Sequence, residues 1–302
     1  MRIALLHHGS ACSPVLARFR AGLRRHGLVN GVNCVVDVAG AEGRWPRLSE
    51  LTERLLQRHP EVLVAIGALA ALSAQRATSS VPILHAIVLD PSDIGLTAPN
   101  VTGVSSFDPE QAMRHLRLLQ QLVPGLRRVA FLTDIDAPPG RDGRSPLVSE
   151  LLAAAAQLGL DLHGVALASV EGSLGQAFET LAQGAPQALV ALEVPTVLAR
   201  LPDIMELAER HRLPTLSPYG WPSRGLVVEG ASLHDTLDPL AESVASVGRG
   251  ARVGDVPLRV VRHQRLVVRM GLARRIGLAI PAAALQRASL DETASDAIDR
   301  CG

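Results

Sequence analysis

At 302 residues the chain exceeds what one hydrophobic core ordinarily serves, so two domains are expected. A 47% hydrophobic and 20% charged composition excludes a disordered chain, and a formal net charge of +1 without long runs of one sign excludes a nucleic-acid or polyanion surface. No apolar run approaches the ~18 residues of a membrane span, and Cys12, Cys34 and Cys301 offer neither a metal-ligand spacing nor a disulfide framework.

Met1 is followed at once by Arg2 to Leu6, which reads as a strand and not as the apolar core and cleavage site of an export signal. Further strands are expected at Cys34 to Val38, Val62 to Ile66, Ile83 to Ile87 and Val101 to Ser105, with helices at about Pro14 to His26, Trp45 to Arg58 and Ala68 to Thr78. Strand, helix, strand in repetition implies a parallel sheet covered on both faces, and the uninterrupted apolar character of the strands fits that burial.

The pattern then restarts. Arg127 to Leu132 echoes Arg2 to Leu6; a helix from about Ser145 to Leu158 and a strand from Asp161 to Ala166 follow. The segment from Leu51 to Ile87 runs helix, strand, helix, Val81-Pro-Ile-Leu84, and that from Phe178 to Leu216 runs helix, strand, helix, Leu213-Pro-Thr-Leu216. In both, proline ends the helix just ahead of a short strand. The expected fold is therefore α/β: two Rossmann-like lobes, each a parallel sheet flanked by helices, joined by a multi-strand hinge that permits a closing cleft. The chain is expected to cross near Ser105 to Asp108, to return through a helix at Leu233 to Gly248, and to cross again before Leu266 to Met270. The expected lobes are 1–106 with about 233–262, and 107–232 with about 263–302.

Ligands of open parallel sheets sit beyond the carboxyl ends of the strands, which selects loops. After the first strand, Ser10 and Ala11 precede a helix start; Ser13 with Pro14 also reads as its cap. His7 and His8 are adjacent in an extended segment and point to opposite faces, against a shared metal. After the third strand, Gly67, Ala68 and Leu69 open a helix whose amides suit a carboxylate, or form a plain tight turn. His85 and Asp90 follow, Asp90 equally a turn former before Pro91. The second lobe offers Asp134, Asp136, Glu193, Tyr219 and Gly220, with Tyr219 or Trp221 able to stack on a planar group. Glu229 reads as a ligand contact or as a hydrogen-bonding group at the hinge. An acid opposite a helix-end anion site would recognise a zwitterion.

Ordered pieces along the chain carry a family likeness: Phe19-Arg-Ala-Gly-Leu23 with His26-Gly27, Ala39-Gly-Ala-Glu-Gly43 with Arg47-Leu48, Ala65-Ile-Gly-Ala-Leu-Ala-Ala71, Asp90-Pro91, Asn100-Val-Thr-Gly-Val104, Leu122-Val-Pro-Gly125 and Gly277-Leu-Ala-Ile-Pro281. With these the chain resembles the ABC transporter substrate-binding family of the uncharacterised or aromatic-amino-acid type, which has the type I periplasmic-binding-protein fold. Thr133 to Asp136 and Gly225 to Gly230 depart from the family pattern, the latter with Glu229 where a tyrosine is usual. The resemblance implies capture of a small polar or zwitterionic metabolite, such as a branched or aromatic amino acid, by closure of the cleft. It also implies delivery to an ABC permease and a periplasmic or extracellular-face location. No cofactor, metal, nucleic-acid partner or direct membrane insertion is expected, and the chain is expected to act as a monomer.

Two alternatives stay open. The missing leader fits a cytoplasmic ligand sensor of the same fold. A cofactor-free racemase would pair Cys12 with a cysteine in the other lobe, but Thr133 to Asp142 contains none, and no hydrolase elbow, zinc-helix or P-loop motif occurs.

Overall fold

The computed structural model describes residues 1–9, 14–106, 108–135, 137–140, 142–168, 173–218, 224–261, 265–282 and 289–291. Among these, the chain forms two compact units, one from 1–106 and 233–261 and the other from 108–232 and 265–291.

In the first unit β1 (Arg2–His7), α1 (Pro14–Arg25), β2 (Val35–Gly40), α2 (Arg47–Leu56), β3 (Val62–Ile66), α3 (Ala68–Ala77), β4 (Ile83–Val88) and β5 (Val101–Ser105) follow one another. The unit is completed from later in the chain by α9 (Leu233–Gly248) and β11 (Arg259–Val260). The six strands lie in the order β11-β5-β4-β3-β1-β2, every neighbouring pair parallel. The central strand β3, covered on both faces, carries an unbroken apolar run, and all five of its residues are buried. Leucines and alanines of α2 and α3 cover one face of the sheet, and α9 covers β3, β4 and β5 on the other while packing along α1. That helix pair is close because Gly22 lacks a side chain: a Cβ there would stand 2.9 Å from the Cβ of Ala241.

The second unit contains α4 (Gln111–Leu122), β6 (Arg128–Asp134), α5 (Pro146–Leu158), β7 (Asp161–Leu167), α6 (Leu174–Gln183) and β8 (Ala188–Ala191). Next come α7 (Pro195–Ala199), α8 (Leu201–Arg210), β9 (Thr215–Pro218), β10 (Val227–Gly230), β12 (Arg265–Arg269), α10 (Met270–Ile276) and β13 (Ser289–Asp291). Its seven strands run β13-β12-β10-β9-β8-β6-β7, parallel except where β12 meets β10.

The two units repeat one topology. Strand order reverses between β1 and β3 in the first and between β6 and β8 in the second, so each has a topological switch point beside its first strand. The echo between Leu51–Ile87 and Phe178–Leu216 is thus one structural unit used twice, α2-β3-α3-β4 and α6-β8-α7-α8-β9. The second copy breaks its helix at Arg200, and Pro202 sits in the first turn of α8.

Candidate functional site

At the carboxyl edge of the first unit, Gly67 stands between β3 and α3 with φ 95° and ψ 155°, a conformation open to glycine. Its amide donates to the carbonyl of Ala86 (2.9 Å) and its carbonyl receives the amide of Ala71 (3.0 Å). The turn thereby aims the start of α3, with Ala68 and Leu69, at the edge beside the switch point. Asp90, just beyond β4, folds its own loop: its carboxylate accepts from the Ser92 amide (2.9 Å), the Ser92 hydroxyl (2.6 Å) and the Asp93 amide (3.2 Å). Ser10 and Ala11 lie outside the described residues.

His85 does not reach that edge. It sits inside β4, 1% exposed, with Ala65 of β3 and Gly103 of β5 as its neighbours in register. Its imidazole lies over the bare Gly103, where a Cβ would come within 2.8 Å of the His85 Cγ. Its Nδ1 is buried without a hydrogen-bond partner, and burial lowers its pKa from 6.5 to about 4, so the ring is neutral near pH 7. Just past it the ladder to β5 shifts register, and Ile87 takes φ 57°, a strained setting for a β-branched residue.

In the second unit the corresponding edge carries Asp134 at the end of β6 and Glu193 after β8. Asp134 is buried, and its Oδ2 accepts from the Thr196 amide at the start of α7 (3.0 Å). The carboxylate therefore ties the end of β6 to the turn that follows β8. Asp136, Tyr219 and Gly220 lie outside the described residues, as does Trp221.

Glu193 lines a small, solvent-open hollow. Gln111 and His115 of α4 and Glu150 of α5 supply its other polar groups. Leu147 and Leu151 of α5, Val190 and Leu192, and Leu216 and Pro218 of β9 supply apolar wall. Carboxylates beside an apolar lining suit a ligand that joins a cationic group to a hydrocarbon or aromatic body.

His115 connects the hollow to a buried carboxylate. Glu229, 3% exposed on β10, is hydrogen-bonded by His115 Nε2 through Oε2 and by Arg114 Nε through Oε1 (2.7 Å). Arg114 Nη1 also donates to Asp108 Oδ2 (2.7 Å). Burial alone would raise the pKa of Glu229, but the hydrogen bonds and charges of His115 and Arg114 outweigh it and hold the carboxyl below its ordinary value. Desolvation works against the Arg114 charge as well, and Glu229 and Asp108 together push its pKa up.

Glu229, read from sequence as a ligand contact or as a hydrogen-bonding group at the hinge, is held here by side chains of α4. Its partners on α4 were not anticipated. The available signal was a histidine at 115 on the apolar stripe of Ala112, Leu116 and Leu119.

The family model described as "ABC transporter substrate binding protein" matches residues 3–291. A curated relative, the tyrosine-binding protein of Clostridioides difficile, is 21% identical over 264 residues, which is 83% of this chain and 72% of the relative. A conserved domain protein from Vibrio cholerae superposes with a TM-score of 0.84 at 22% identity, covering 96% of this chain and 98% of that one. A structure from Streptococcus pneumoniae described as an ABC domain in complex with L-Trp gives a TM-score of 0.80 at 22% identity, with coverage of 95% and 99%. The two structural likenesses establish the fold, that of the type I periplasmic-binding proteins. No described helix is long and apolar enough to cross a membrane.

Proposed function

Because this chain belongs to the ABC transporter substrate-binding protein family, we propose that it captures an amino acid with an aromatic or branched side chain and passes it to a membrane permease. The observation that carries this reading is the family match over 3–291, joined by relatives described as binding tyrosine and L-Trp. The ligand is released unchanged, so the protein is a binding component and not an enzyme. It works as a monomer on the outer side of the cytoplasmic membrane, where such permeases take up cargo.

The chemistry of the two carboxyl edges supports a zwitterion. In the first unit the start of α3 at Gly67, Ala68 and Leu69 presents backbone amides that suit a carboxylate, with the Asp90 loop beyond β4. In the second, Glu193 suits an ammonium group, the hollow's apolar wall suits a hydrocarbon or aromatic side chain, and Asp134 holds the turn beside it. His85 and Glu229, both buried, support these edges from within.

A thermal-unfolding screen tests the reading. L-Trp, L-Tyr, L-Phe and L-Leu are each added over a concentration series, with glucose and adenosine as controls. At least one amino acid is expected to raise the melting temperature progressively, the stabilisation reaching about 2.7 kcal/mol at a hundredfold excess over Kd. A shift with glucose or adenosine and none with any amino acid would refute the assignment.

A further inference from the structure

The Asp108, Arg114, His115 and Glu229 cluster stands where the chain enters and leaves the second unit. Asp108 is the first residue described after the chain leaves the first unit. Glu229 lies on β10, just before the chain returns at 232–233. β10 pairs with β12, whose first residue, Arg265 opposite Gly230, follows the third passage. A single guanidinium spans the first two passages, Nη1 on Asp108 and Nε on Glu229, both at 2.7 Å, and the β10–β12 ladder adds the third.

Packing of α4 does not require this arrangement. Ala112, Leu116 and Leu119 fill the core, while the Arg114 side chain is 36% exposed on the flank of the helix. Asp108 is also committed locally: its Oδ1 accepts from the Glu110 amide (3.0 Å), which sets the entry of the chain into α4. Lysine could not replace Arg114 here, since an ammonium is a point charge and the fork of a guanidinium reaches two acceptors in different directions.

His115 gives the cluster an input. One face of its environment is the hollow, where Glu150 of α5 and Glu193 after β8 are the nearby acids; on the other its Nε2 is bonded to Glu229, beside the Arg114 charge. We infer that Arg114 is a positioning residue that staples together the second unit's ends of the chain passages, and that His115 transmits occupancy of the hollow to that staple. The second half rests on the proposal that the hollow receives the ligand.

Hydrogen–deuterium exchange on the full chain separates the two halves. Without ligand, Arg114→Lys and Arg114→Met should both speed exchange at 108–112 and 227–232 by at least about tenfold, and leave 188–191 and 215–217 unchanged. A Lys variant that behaves as wild type overturns the bridge. Uniform acceleration across the second unit, in these variants and in the milder Asp108→Asn, overturns a local staple. Should Arg114→Met not fold, Asp108→Asn, which leaves Glu229 paired, is expected to loosen 108–112 alone. With L-Trp or L-Tyr added, the wild type should gain protection at both 190–193 and 227–232, whereas His115→Gln should keep the first and lose the second. Protection of both in His115→Gln overturns transmission. No protection at 190–193 with either amino acid counts against the proposed function and takes transmission with it, while the ligand-free comparison still decides the staple.

Discussion

His85 and Glu229 are both ionisable groups buried in strands, and the protein handles them in opposite ways. Glu229 keeps its charge because the Arg114 guanidinium and the His115 ring both hydrogen-bond it; His85 has no such partner on its Nδ1 and gives its charge up. The difference has a pH signature. Above pH 6.5 His85 is neutral both folded and unfolded, so it contributes no pH dependence. Between 6.5 and about 4 the unfolded chain takes up a proton that the folded protein refuses, and stability falls as pH falls. At about 1.4 kcal/mol per pH unit, the loss over that window is about 3 kcal/mol. Urea denaturation at pH 7 and pH 4 of wild type and His85→Leu should therefore show the gap between them moving by about that amount in favour of the variant. A gap that stays constant with pH would mean that His85 titrates alike in the folded and unfolded protein, so that burial does not depress its pKa. Glu229 acts in a lower window: its depressed pKa stabilises the fold above its unfolded pKa, and that contribution is lost as pH falls through its folded value.

At the level of elements, glycines mark where strands and turns were shaped by their neighbours. Gly103 of β5 lies in register with His85, and a Cβ there would stand 2.2 Å from the His85 carbonyl oxygen, a backbone atom that cannot step aside. A Cβ on Gly67 would meet nothing within 4 Å, so only its φ of 95° resists substitution. Gly67→Ala is expected to cost about 1–3 kcal/mol and Gly103→Ala clearly more, read from urea midpoints; equal costs would show that the β4–β5 ladder yields readily. The same elements show what the sequence could reveal. Val62–Ile66, Val101–Ser105 and Leu233–Gly248 are where apolar periodicity placed them, because buried parallel strands and a long two-sided helix leave strong patterns. The helix Gln111–Leu122 escaped notice because its narrow apolar stripe is interleaved with Arg, His and Gln. Strands of two or three residues such as Arg259–Val260 have no pattern to read. Within the candidate site, Gly67 and Glu229 were visible from local chemistry. The link from Glu229 to Arg114 and His115 was not, because it joins residues brought together only by the sheet.

For the whole molecule, the main fact is that neither unit is continuous in sequence. The first lacks the cover of β3, β4 and β5 until α9 arrives, and α9 buries Leu233, Leu237, Leu240 and Val244 in doing so. A chain of residues 1–107 alone is expected to lack a cooperative unfolding transition by far-UV circular dichroism. Joining it to 233–262 through a Gly/Ser linker should restore one; cooperative unfolding of 1–107 by itself would show α9 to be dispensable. The same discontinuity orders events on the ribosome. After residue 107 emerges, the whole of 108–232 must be made before the missing helix appears, a wait on the order of ten seconds at ~5–20 residues per second. Throughout it, a half-finished sheet holds an oily face open to the cell, which makes the nascent chain a client for chaperones long before it is a trap for nutrients.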